Sequence, residues 1–175
     1  MHTVFDLSRL QLCSVQVSDR REAERLSRGA KAGELRIADR AHAKATDLAQ
    51  VVAAGADFLV RAPSNYPRLL DGNGQPLDRL TLCREAGEKG GLDRAVRVQD
   101  GKSKAEVAAR LVILPLPAEA AEKARRAARR AASKAQYQPS QAGIEMAGHL
   151  VLLTSLAGSP RPIACGGRSS WPSNA

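Results

Sequence analysis

The stretch GELRIADRAH, residues 33–42, decides the fold because it predicts a short strand at 35–38 that ends at Asp39. A helix is predicted at 44–54, where apolar residues recur at helical spacing and Gly55 is well placed to end it. The apolar side of this helix is expected to contain Leu48, Val51 and Val52. A strand–helix unit of this kind is typical of an α/β layered fold.

Outward from this unit, the hydrophobic pattern predicts further elements on both sides. Strands are predicted at 2–7, 10–17, 57–61, 96–98, 107–114 and 149–156, and helices at 21–28, 77–84, 117–135 and, loosely, 138–148. The sequence DGNG at 71–74 is a strong hairpin signal. The predicted organisation is a partial core at 1–62, a β-rich insertion at 63–115, a basic helix and return strand at 116–156, and a Gly-, Ser- and Pro-rich tail at 157–175 that is expected to be disordered.

The net charge, the apolar runs and the cysteines of the sequence limit which kinds of partner and cellular compartment fit this chain. The 175 residues carry a formal net charge of +9, which favours a polyanion because each neutralised phosphate releases counterions. An anionic membrane surface and a merely basic protein are the alternatives from charge alone. No run approaches the ~18 apolar residues of a membrane span, and the first residues do not resemble a signal peptide. Cys13, Cys83 and Cys165 are too far apart for a disulfide framework or zinc site, so a reducing cytoplasm is expected.

Asp39 is the strongest candidate for chemistry. A carboxylate at the carboxyl end of a strand lies where α/β folds place ligands, and carboxylate oxygens suit Mg²⁺. The alternative is an aspartate that only caps the following turn. Asp6 and Asp19 are weaker metal candidates, since each also fits a strand end or a cap, and His42 fits a surface residue better than a base. Basic residues that could contact a phosphate backbone, or simply be solvated, are Arg40, Lys44, Lys123, Arg126 and Arg130.

The motif at 33–42 resembles the second-aspartate motif of DDE-class insertion-sequence transposases of the IS-four-like type. The segments at 2–7, 57–61, 71–80, 116–121 and 149–154 are similar to that family in the same order. The resemblance implies a ribonuclease-H-like mixed sheet flanked by helices. It also implies strand cleavage and joining at the ends of a DNA element and at its target, with two Mg²⁺ or Mn²⁺ ions held by two aspartates and one glutamate. The resemblance further implies a protein of the cytoplasm that associates with the nucleoid, and a homodimer is left open for the intact family.

Of the family's three carboxylates, only the second aspartate has a counterpart in this sequence, Asp39. The resemblance places the first aspartate upstream of the segment at 2–7, and the glutamate on a helix after the strand at 149–156. The tail occupies the place of that helix. When suitable synonymous codons are chosen for 163–175 and translation starts at the third base, the shifted reading frame encodes a sequence similar to the family's glutamate helix. The sequence therefore predicts a frameshifted fragment that is inactive by itself. The alternatives are a catalytically silent DNA-binding or interaction remnant and a fragment that folds poorly.

Overall fold

The computed structural model describes residues 2–6, 11–16, 25–63, 67–101 and 103–157, the first two ranges by their backbone alone. These ranges contain eight strands: β1 His2–Asp6, β2 Gln11–Gln16, β3 Leu35–Ala38, β4 Asp57–Arg61, β5 Arg68–Leu70, β6 Leu92–Gln99, β7 Glu106–Pro115 and β8 His149–Thr154. The same ranges contain four α-helices: α1 Ala45–Ala53, α2 Arg79–Lys89, α3 Ala118–Lys134 and α4 Gln141–Met146. A single 3₁₀ turn, Arg40–His42, follows β3.

Two sheets are present in the described residues. Strands β1 and β2 form an antiparallel hairpin, whereas the other six strands form one sheet in the order β3-β4-β8-β7-β6-β5. Only β3 and β4 are parallel, and every other neighbouring pair in the large sheet is antiparallel. The predicted α/β fold with a mixed sheet is therefore confirmed. The predicted division at 62/63 and 115/116 stays a prediction, although β5, β6 and β7 continue the same sheet as β4.

The core lies between the helices and one face of the large sheet. Alternate residues of the strands are buried there, as the strand period of two requires. Phe58 and Val60 on β4 pack with Leu48 and Val51 on α1, and Leu111 on β7 lies in the same cluster. The groups contributed by α2 are Leu82, Cys83 and Ala86. All four helices of the described residues lie on this side, so no described helix covers the opposite side of the sheet.

Helix α1 largely confirms its prediction. Leu48 and Val51 are fully buried, but Val52 is 41% exposed, so the prediction that all three share one side of the helix was wrong for Val52. The valine side chains at adjacent positions are separated by about 100° around a helix, and the sheet covers only one of them. Gly55 ends the helical segment with φ of +75°, and a Cβ there would lie 3.0 Å from the Cβ of Ala32.

Other predicted elements differ in extent. Residues 25–29 form hydrogen-bonded turns rather than the end of a helix at 21–28, and the first part of that predicted helix lies outside the described residues. Helix α2 and strand β6 are longer than predicted, because Gly87 does not break the helix and Asp93 and Arg94 lie within the strand. The turn at Asp71 is confirmed: its Oδ1 accepts hydrogen bonds from the backbone N–H groups of Asn73 and Gln75. The tail beyond residue 157 lies outside the described residues.

Candidate active site

Asp39 stands at the carboxyl end of β3, as predicted. Its backbone is extended, and Oδ1 accepts a hydrogen bond of 2.9 Å from the backbone N–H of Ala41, which caps the 3₁₀ turn. The capping role considered from the sequence is thus real. It uses one carboxylate oxygen only, and Oδ2 accepts no hydrogen bond from any described residue. Because the side chain is exposed, that oxygen is open to solvent and to a ligand.

The parallel pairing of β3 and β4 places a second functional group beside Asp39. Ala38 pairs with Val60, so the residues that follow, Asp39 and Arg61, lie at the same edge of the sheet. This is the edge where α/β sheets place their ligands. Arg61 and Arg40 are both exposed, and neither lies within ion-pair distance of a carboxylate of the described residues. Sequence reasoning missed Arg61, although its position at the end of a strand parallel to β3 was the signal that could have identified it.

A groove opens from this edge between the helices and the sheet, with a volume of about 720 Å³. Arg40 and Arg61 contribute to its lining, and Leu111, Ile113 and Val151 form part of its apolar wall. The opposite wall is the small-residue side of α3, at Ala124, Ala127, Ala128 and Ala131. Their spacing of three and four residues places them on one stripe of the helix. The groove is therefore basic near the sheet edge that holds Asp39 and apolar further in.

Two further residues of the groove stabilise the fold and are not candidates for catalysis. The guanidinium group of Arg79 donates to the backbone carbonyls of Pro63 and Pro67, which ties the chain after β4 to α2. Burial lowers the pKa of Arg79 to about 10, so it remains charged at neutral pH. Burial also raises the pKa of the Cys83 thiol to about 11, which keeps it protonated and unreactive.

The charged side of α3 is directed away from the groove. Glu122 lies 3.3 Å from Arg126, 3.8 Å from Arg129 and 4.0 Å from Arg125, so it offsets part of the positive charge near the start of the helix. Lys123 and Arg130 are exposed and lie outside ion-pair distance of the carboxylates in the described ranges. Of the five predicted phosphate-contacting residues, Arg40 alone lines the groove, the three on α3 share its outer side, and Lys44 lies at the start of α1.

The described residues supply one candidate ligand for a divalent cation. Within the described ranges, no group of three or more His, Cys, Asp or Glu side chains is close enough to hold a metal ion. Asp19 lies outside these ranges, as does the side chain of Asp6. Mg²⁺ is commonly held by one or two carboxylates together with substrate phosphates and water. The open Oδ2 of Asp39 fits one position in such a set.

A second aspartate near the site has a different role. Asp47, at the first turn of α1, is buried and accepts three hydrogen bonds, from the backbone N–H groups of Leu26 and Ser27 and from the Ser27 hydroxyl. It fastens the turn before β3 to the helix after it. Sequence reasoning missed this residue because its partners lie 20 and 21 positions away.

These features define an α/β protein whose mixed six-stranded sheet is compatible with a ribonuclease-H-like fold and whose open carboxylate lies at the ligand edge. The chain is 32% identical over 165 residues to InsL of insertion sequence element IS186A from Escherichia coli strain K12, a predicted transposase. It is equally similar to the transposase of insertion sequence element IS421 from Escherichia coli. The chain is thus a homologue of insertion-sequence transposases.

The alignments cover 89% of this chain but 44% of InsL and 43% of the IS421 transposase, so the chain spans less than half the length of the curated relatives it matches. No protein-family model matches the chain, and no solved structure matches it. Among the helices of the described residues, none is both long and apolar enough to cross a membrane.

Proposed function

We propose that this chain is the catalytic-core portion of a DDE-class transposase of the IS-four-like type, with DNA as its substrate and with Asp39 as one of its metal ligands. The observation that carries the proposal is the position of Asp39. It lies at the carboxyl end of a parallel strand pair, with one oxygen open to solvent and with Arg61 at the same sheet edge. Homology to insertion-sequence transposases supports DNA as the substrate.

In this proposal, the residues at the sheet edge divide the work. The Oδ2 atom of Asp39 would hold Mg²⁺ or Mn²⁺, while Oδ1 stays on the Ala41 N–H and fixes the carboxylate in place. A bound ion of this type supplies charge stabilisation to the attacking and leaving oxygens of a phosphoryl transfer. Arg40 and Arg61 would bind non-bridging phosphate oxygens of the DNA strand, since guanidinium groups match phosphate geometry. Their lack of carboxylate partners in the described residues leaves them available for this.

We also propose that this chain does not complete the reaction alone. The family mechanism needs three carboxylates, and the described residues contribute one. The second part of the proposal is that the glutamate helix is encoded in another frame of the same gene, overlapping the codons for 163–175. Sequencing the gene tests this part directly, and a gene with no overlapping frame for that helix would rule it out.

The activity experiment compares this chain with a frame-restored, full-length version on DNA that carries the element ends, with Mg²⁺ or Mn²⁺. We expect strand cleavage and transfer only from the restored protein, and loss of that activity in its Asp39→Ala variant. Activity from the short chain would mean that other acids complete the site. Full activity in the restored Asp39→Ala protein would refute the role of Asp39.

A second candidate function is a catalytically silent DNA-binding remnant, favoured by Lys123 and Arg130 on the outer side of α3. If each of these residues neutralises one phosphate, replacing both with Gln should reduce the slope of log K against log salt by about 1.8. Lys89→Gln, on α2, is the matched control, because Lys89 is exposed and already paired with Glu85. Metal-independent DNA binding with this salt dependence, and no strand transfer in the restored protein, would favour the remnant.

A further inference from the structure

The groove between α3 and the large sheet has a positive charge that its own residues do not neutralise. Three arginines, Arg40, Arg61 and Arg79, line it, and no Asp or Glu of the described residues does. The guanidinium group of Arg79 is half-buried and donates to the backbone carbonyls of Pro63 and Pro67, which are neutral acceptors. A cation that is partly removed from water without a counter-ion favours the binding of a carboxylate.

A second arginine of α2 lies in a different electrostatic environment from Arg79. Arg84 binds both carboxylate oxygens of Glu145, with hydrogen bonds of 2.7 and 2.9 Å. Glu145 is the one carboxylate of α4, and both of its oxygens are used in this ion pair. Helix α4 therefore offers no acid to Arg79, and the negative charge that would compensate Arg79 must come from a ligand.

The walls of the groove are aliphatic. Leu111, Ile113 and Val151 contribute the side of the sheet, and alanines contribute the side of α3. Tyr137, which is 58% exposed, is the one Phe, Trp or Tyr side chain among the described residues that line the groove. Grooves that bind single-stranded nucleic acid use several aromatic side chains, on which successive bases stack. These walls therefore favour aliphatic side chains over bases.

The wall formed by α3 is long enough for a segment of polypeptide. From Ala124 to Ala131 the helix rises about 10 Å, which is two helical turns. Ala127 and Ala131 are exposed although they line the groove, so the described residues leave this wall partly uncovered. Small side chains allow a second helix to approach closely, because the distance between packed helices depends on the residues at their contact.

We propose that the groove binds an amphipathic helix of a partner protein, with aliphatic side chains against α3 and the sheet and with an Asp or Glu beside Arg79. In this mode of recognition, apolar anchors recur at i, i+3 or i+4, and i+7. The proposal goes beyond the transposase activity and does not rest on it. Arg40 and Arg61, assigned above to DNA phosphates, also line the groove. The partner helix and DNA are therefore expected to compete.

Fluorescence anisotropy tests the proposal on the full chain, with a labelled peptide of about 16 Leu, Ala and Glu residues patterned as an amphipathic helix. We expect saturable binding that is lost when every Glu of the peptide is replaced by Gln. A scrambled peptide of the same composition controls for attraction to the net charge of +9 and should bind much more weakly.

Two variants of the protein test whether the peptide occupies the groove. Ala128→Trp fills it, and Ala131→Glu places a like charge beside the peptide, so each should raise the dissociation constant by more than about tenfold. Ser133→Trp is the matched control, because Ser133 is exposed on the outer side of α3 and should not affect binding. Circular dichroism checks that all three variants fold.

A wild-type chain that does not bind the Glu peptide, or that binds the Gln or scrambled peptide equally well, would overturn the proposal. Binding that neither groove variant weakens would also overturn it, because the contact would then lie elsewhere. If a short single-stranded oligonucleotide binds instead of the peptide, and both groove variants block it, the groove belongs to nucleic acid. Strand-transfer assays of Asp39 variants decide the transposase proposal separately.

Discussion

Two aspartates eight positions apart have opposite environments. Asp47 is 7% exposed and uses both carboxylate oxygens within the protein, with hydrogen bonds of 2.6, 3.1 and 2.5 Å. Asp39 is exposed and uses one oxygen, in a turn of three residues. The difference teaches that hydrogen bonding decides which carboxylate is available for chemistry. A fully bonded aspartate holds the fold, and a half-bonded one at a sheet edge can hold a ligand.

The largest expected effect tests whether Asp39 acts through its carboxylate charge, and the variant is Asp39→Asn in the frame-restored protein. Asn caps turns nearly as well as Asp, so the 3₁₀ turn should persist and the free energy of unfolding should hardly change. Strand transfer should fall by more than about 100-fold, because a neutral amide is a poor ligand for a hard cation. The measurement is the initial rate of strand transfer with Mg²⁺.

Asp71→Asn is the control for that variant. Asp71 also accepts turn hydrogen bonds, from Asn73 and Gln75, at a site remote from the ligand edge. Its Asn variant should retain full activity. Equal losses in the two variants would show that turn geometry, rather than the carboxylate charge at position 39, supports the reaction.

The second test is the stability of Asp47→Ala. Two backbone N–H groups and a hydroxyl would lose their acceptor, and at least the Leu26 hydrogen bond is buried. The free energy of unfolding should fall by about 2–4 kcal/mol, as measured by urea denaturation. Asp39→Ala should cost about 1 kcal/mol or less, as expected for an exposed cap. Comparable losses for the two alanine variants would contradict the division of roles.

A smaller effect is expected at the end of α1. Gly55→Ala combines a φ of +75° with a Cβ 3.0 Å from that of Ala32, so it should destabilise the fold by about 1–2 kcal/mol. Gly29→Ala has a similar φ of +66° and open space around the new Cβ. It should cost less, and the difference in thermal unfolding measures how tightly Gly55 is packed against Ala32. Equal costs would mean that backbone strain alone operates at both sites.

The smallest expected effect concerns a half-buried carboxylate on α4 that forms an ion pair with α2. Arg84 binds Glu145 with 2.7 and 2.9 Å hydrogen bonds and lowers the pKa of that carboxyl below its usual value of 4.5. The stabilisation is therefore present above pH 4.5 and is lost as the pH falls through the lowered pKa. Glu145→Gln should be slightly less stable than wild type at pH 7 and indistinguishable from it at about pH 2. A difference that persists in acid would assign the effect to packing.

The sequence was most informative where local chemistry decides the structure. Strand β3, the capping Asp39, helix α1 and strand β4 follow from apolar periodicity and from Gly55, all within 27 residues, 35–61. The extent of α2 was underestimated because Gly87 lies in its interior, and the true end is Gly90, in the left-handed conformation with φ of 76°. Tertiary packing of Leu82 and Ala86 outweighs the local cost of a helical glycine.

The candidate site was predicted only in part, for a physical reason. A linear motif identifies the aspartate. Arg61 lies at the same edge only because β3 and β4 pair in parallel, and α3 lines the groove only because the tertiary fold places it opposite the sheet. The sequence also did not predict which face of the sheet the helices cover, because a strand that is apolar on both sides does not reveal it. Pairing over long sequence distances determines these features.

The connection of β4 to β8 has a consequence for how the chain is made. Thr154 donates its hydroxyl proton to the carbonyl of Phe58, a contact across 96 positions. A ribosome adding about 5–20 residues per second needs roughly 5–20 s to travel that distance. During this interval, β4 has emerged beside β3 while its second neighbour does not yet exist. Nascent chains must therefore keep a half-paired aliphatic strand apart from other chains, a task suited to ribosome-associated chaperones.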